Sequence, residues 1–128
     1  MSTQTIRILI AGALFVHGVG HTLGLWKPAH SLFFLKVPMP TLKLIGAIIW
    51  ILIAVGFIAS AMGFYGILVP VNWWRPLACV FAVISLFGLI AFGRNWPLFN
   101  FVAASAFNIA LLAALLWFHW PPLEMLGR

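Results

Sequence analysis

Four long apolar stretches, joined by short proline- and basic-residue-bearing segments, leave this chain few ways to fold. Of its 128 residues, 65% are hydrophobic and 6% charged. A soluble domain carries about a quarter charged residues, so the composition excludes one. A helix of about 20 apolar residues crosses the hydrocarbon core of a bilayer. It also pairs its own backbone groups, which lipid cannot do. The sequence therefore predicts an all-α, integral membrane four-helix transmembrane bundle. It forms one domain over residues 1–128, with crossings near 5–26, 41–62, 73–92 and 96–120.

The ends of these stretches carry recognisable helix chemistry. Pro28 follows the first, as expected just beyond a helix end. Residues 27–40 hold Pro28, Pro38 and Pro40 around Leu32-Phe33-Phe34-Leu35-Lys36. That segment is too short to span, and is expected to lie in the membrane interface. Thr41 is the expected N-cap of the second helix, and Gly63 and Gly66 offer its stops. Asn72-Trp73-Trp74-Arg75-Pro76 and Asn95-Trp96-Pro97 each combine an Asn cap, a headgroup-level Trp and an early Pro. Convergent end chemistry explains this likeness better than duplication. Gly93-Arg94-Asn95 reads as a tight turn, so the third and fourth helices should be antiparallel neighbours.

Seven Lys and Arg face a single acid, Glu124. The basic residues do not cluster as a nucleic-acid surface would. They punctuate the apolar stretches, as interfacial anchors do. Arg7, Arg75 and Arg128 fall on the side of the termini, and Lys27, Lys36, Lys43 and Arg94 on the other. This near-balance fixes no orientation. The first apolar run is too long for a cleaved signal peptide, and Ala11-Gly12-Ala13 falls too early for its cleavage site. The lone Cys79 excludes an intrachain disulfide.

Within so apolar a chain, His17-Gly18-Val19-Gly20-His21 is nearly all the chemistry present. Residues four apart share a helix face. Polar groups at membrane depth are costly and face a partner, a ligand or water. At a rise of about 1.5 Å per residue, His17 and Asn108 both fall near the midplane. His21, Ser85, Asn100 and Ser105 fall in the half toward the 27–40 loop. These six residues are the candidate ligand-binding set, opening toward His30 and Arg94. The blander reading is a set of interhelical hydrogen bonds worth on the order of 1 kcal/mol each. Ala13, His17, Gly20, His21 and Gly24 form a stripe in which Gly20-x-x-x-Gly24 suits close helix packing. Gly56, Ser60 and Gly63, and Ala103, Ala106, Ala110 and Ala113, are expected to pack likewise.

Other chemistry finds less support. Zinc takes three or four ligands, and the spans hold no Asp or Glu to complete or orient a His pair. No metal ligand is assigned. Haem could take a single axial His, or His17 from each of two copies, but His119 lies too far in depth from His17 to serve as the second. His119 and His30 read as interfacial and solvated. Neither Ser85 nor Ser105 has an acidic third member for a triad, so no catalytic residue is assigned. A proton path normally uses ionisable groups along its whole length.

The run Arg7-Ile8-Leu9-Ile10-Ala11-Gly12-Ala13-Leu14-Phe15-Val16-His17-Gly18, with the four-crossing layout, resembles small bacterial membrane proteins of the DoxX-like kind. The resemblance implies a compact bundle in a bacterial inner membrane. Some members of that group are associated with quinone-linked redox complexes, but their intramembrane charged residues are missing here. The reading is a non-enzymatic multi-pass membrane protein, a subunit or homo-oligomer. Its His/Asn pocket would take a small apolar ligand or a partner helix. The alternative is a redox-linked subunit holding haem or quinone through His17 or His21.

Overall fold

Ser2 starts the first helix. Its hydroxyl accepts a hydrogen bond from the Thr5 amide at 3.1 Å, pairing one donor that a helix N-terminus leaves open. The structure is a computed structural model and describes residues 2–26, 38–92, 96–122 and residue 124. Helix α1 covers Thr3–His21 and tightens into a 3₁₀ turn over Thr22–Trp26. Helix α2 covers Met39–Phe64. Helix α3 covers Trp74–Phe92, after a 3₁₀ turn over Val71–Trp73. Helix α4 covers Leu98–Leu112 and continues as a π-helical turn over Ala113–Trp117. The described residues contain no strand. Four segments, Thr3–Trp26, Met39–Phe64, Val71–Phe92 and Leu98–Trp117, are long and apolar enough to cross a membrane. The chain is an all-α four-helix bundle and a multi-pass membrane protein.

Several helix ends differ from the sequence expectation. Pro38, not Thr41, takes the cap position of α2, with Pro40 in the first turn, where its missing N–H removes no helical bond. Of the two expected stops, Gly66 is the one that ends α2. It sits at φ +70°, donates to the Gly63 carbonyl at 3.0 Å, and lets the Ile67 amide reach the Met62 carbonyl at 3.0 Å. This double bond with a left-handed glycine closes open carbonyls at the helix end. Asn72 lies inside the 3₁₀ turn before α3 rather than capping it. The last helix ends at Trp117 rather than Trp120. There the Phe118 and Trp120 amides donate to the Ala113 and Ala114 carbonyls, and His119 turns left-handed at φ 51°. The interfacial segment with His30, and the Gly93-Arg94-Asn95 turn, lie outside the described residues.

The core centres on α2, which packs on α1 along one side and on α3 along the other, while α4 lies against α3. Phe57, Phe64, Ile53, Leu14 and Leu89 are fully buried in it. Absent side chains set the close approaches. At Gly18 a Cβ would stand 2.9 Å from Phe57 Cβ and 3.0 Å from the Ala54 carbonyl oxygen. At Gly24 it would stand 2.7 Å from the Trp50 ring. Gly56 receives the Phe81 ring of α3, and Gly88 of α3 receives Ile49 and Ile53 of α2. Ser60 donates to the Trp74 carbonyl at 2.7 Å, pinning the end of α2 to the start of α3.

The expected small-residue stripe is therefore split. Gly18 and Gly24 meet α2, but a Cβ at Gly20 would meet nothing within 4 Å. Gly20 and Gly24 do not act as one packing pair, because the turn tightens after His21 and Gly24 changes its facing. The alanines of α4 depart from expectation too. Ala103, Ala106 and Ala110 are exposed, since α4 has a neighbour on little of its surface. Within Leu98–Leu112, only Asn108 is buried.

Candidate functional site

The one buried residue of α4 meets the histidines of α1. Asn108 Oδ1 lies 3.0 Å from His17 Nε2, and Asn108 Nδ2 donates to Ser85 Oγ at 2.7 Å. Ser85 Oγ lies 3.0 Å from His21 Nε2. His21 Nε2 lies 3.2 Å from His17 Nε2, closing a ring of four side chains from three helices. Helical spacing places both imidazoles on one face of α1. Ser85 sits in the buried stripe of α3 with Ala78, Ala82, Gly88 and Leu89.

The polar roles follow from the chemistry of each group and the orientation of the Asn108 amide. An amide oxygen only accepts, so His17 Nε2 carries a proton and donates to it. Ser85 Oγ accepts from Asn108 and shares a hydrogen bond with His21 Nε2 in which either atom can be the donor. The single hydrogen of His17 Nε2 goes to Asn108, so the 3.2 Å approach of the two Nε2 atoms is a close contact beside that bond. A neutral imidazole has one donor and one acceptor nitrogen. His21 Nδ1 is buried without a partner among the described residues. His17 leaves Nδ1 as an acceptor. That atom makes none of the hydrogen bonds of the ring and is not buried.

Aromatic rings fix both imidazoles. His21 stacks on Trp50 at 5.5 Å and on Phe57 at 6.0 Å, with interplanar angles of 11° and 7°. His17 stacks on Phe107 of α4 at 4.1 Å and meets the edge of Phe57 at 4.7 Å. Trp96 was expected at the headgroups. Because α4 starts only at Leu98, Trp96 precedes it, and its ring turns inward to within 5.1 Å of Trp50 and 6.0 Å of His21.

Beside this ring lies a groove of about 580 Å³ between α1 and α4. His17, His21 and Asn100 are its hydrogen-bonding side chains, apart from the Trp96 indole. Ala13, Gly20, Ala103 and Ala104 leave its walls low, and Phe107 lies along it. Val16 and Phe99 on its rim are 68% and 80% exposed, so it opens sideways, toward lipid in a membrane.

Of the candidate residues, the structure joins His17, His21, Ser85 and Asn108 by hydrogen bonds and brings Asn100 to the same groove. Ser105 makes none of these bonds and does not line the groove, because it points from the other side of α4. Trp50, Phe57, Trp96 and Phe107 were missed. The seven-residue spacing of Trp50 and Phe57, which puts them on one face of α2, was the available signal.

Both Nε2 atoms are engaged in the ring, so iron ligation through either would break it. Among the described residues, no group of three or more His, Cys, Asp or Glu side chains could hold a metal ion. Comparison with protein-family models, curated proteins and solved structures finds no match.

Proposed function

We propose that this membrane protein binds a small apolar molecule with one polar head in the groove between α1 and α4. The observation that carries this reading is a sideways-opening, apolar groove of about 580 Å³ lined by His17 and His21 of the polar ring. Ligand sites are typically apolar clefts with a few polar groups that fix orientation. Here His17 Nδ1 and Asn100 offer that orientation, and the groove walls offer the apolar contact. Pure packing would leave no such space beside a glycine and alanines, since helices in membranes use small residues to close upon each other. The protein works without catalysing a reaction, as a subunit or homo-oligomer in a bacterial inner membrane. The exposed Ala106 and Ala110 of α4 suit a second helix there.

The test is ligand-dependent thermal stabilisation in lipid nanodiscs across a series of long-chain molecules with different heads. The melting point should rise with ligand concentration as mass action requires. Absence of stabilisation by every member, or a rise that tracks protein concentration instead, would replace this reading with occupation by a partner helix or by bulk lipid.

A further inference from the structure

The polarity of the hydrogen-bond ring selects the head group. We infer that the groove takes a long-chain apolar molecule whose head is a hydroxyl, in preference to one whose head is a carbonyl. This rests on the groove being a ligand site.

Asn108 Nδ2 donates to Ser85, which leaves Asn108 Oδ1 to receive the proton of His17 Nε2. His17 is then fixed as the tautomer that presents a lone pair, not a proton, at Nδ1. His17 lines the groove and lies against Phe107, while Nε2 is turned into the ring. A head group reaching His17 must therefore donate. Asn100, on the groove wall of α4, carries two amide hydrogens and one carbonyl. A hydroxyl can donate to His17 Nδ1. A ketone has no hydrogen to donate and leaves the imidazole lone pair facing its own carbonyl oxygen. The difference is one hydrogen bond, which corresponds to about threefold to tenfold in affinity.

The remaining features agree with a neutral, single-headed molecule. Among the described groove-lining residues there is no lysine, arginine or carboxylate to pair with a charged head. The open side of the groove gives a hydrocarbon chain a path into the bilayer.

Two measurements test this. Nitrogen-15 NMR of histidine-labelled protein in nanodiscs reads the tautomers, with His17→Gln and His21→Gln used for assignment. The expected result is a proton on Nε2 of His17. A proton on Nδ1 of His17 reverses the polarity and overturns the inference. The second measurement titrates tetradecanol and the methyl ketone of equal chain length, each corrected for partition into lipid. The alcohol should bind about threefold to tenfold more tightly. Equal affinities, or a preference for the ketone, overturn the hydroxyl assignment while the groove remains a ligand site. Failure of both molecules to bind overturns the assignment together with the function on which it rests.

Discussion

At the scale of single residues, the site depends on Asn108. It is the junction through which α4 reaches both the histidines of α1 and Ser85 of α3. Replacing it with Leu removes two hydrogen bonds and leaves His17 Nε2 with only the weak contact to His21. The expected cost is on the order of 1 kcal/mol, in line with interhelical hydrogen bonds in membranes. A double-mutant cycle with His17→Phe isolates the coupling, which should be clearly nonzero. A coupling indistinguishable from zero would mean that the 3.0 Å contact contributes nothing. The pairing of His17 with Asn108 was legible in the sequence because a constant rise per residue assigns depth. The aromatic box was not. Depth says nothing of rotation, so Phe107 and Trp96 looked like any other apolar or interfacial residue. Ser105 shows the same limit: its depth suits the site, but its direction on the helix does not.

At the scale of helices, glycines at similar spacing serve different ends. Gly18 allows α1 to touch α2, whereas Gly20 leaves room in the groove. Gly18→Ala should destabilise by about 1–3 kcal/mol, because its new methyl would overlap the Phe57 side chain and the Ala54 carbonyl. Gly20→Ala meets nothing and should instead stabilise α1 by up to about 1 kcal/mol. Denaturant titration of the two variants in mixed micelles checks the contrast. Equal losses from both would show that Gly20 also packs on a helix. The number, type and approximate limits of the four helices followed from apolar length alone. Their ends were harder to read, because several residues at each junction can cap. Pro38 displaced Thr41 as the α2 cap, and of the two glycines offered as its stop the left-handed Gly66 took the role. Spacing alone could not tell which small residues would face a helix and which would face open space.

At the scale of the whole molecule, the bundle is uneven. α2 packs on both α1 and α3, while α4 leans on α3 and touches α1 through the polar ring and Phe107. That unevenness leaves the groove between the first and last helices, and the two histidines of the ring line it. The most direct test of the account places a photoactivatable diazirine on the chain of a long-chain alcohol. After irradiation in nanodiscs, the labelled residues are mapped by mass spectrometry. Saturable labelling should concentrate on the groove residues of α1 and α4, such as Val16, Leu23, Phe99 and Ala103, and excess unlabelled alcohol should remove it. Gly20→Leu, which fills the groove, should reduce that labelling at least several-fold while the protein stays folded. Unsaturable labelling spread evenly over lipid-facing positions such as Leu9, Ile51 and Val55 would contradict the account.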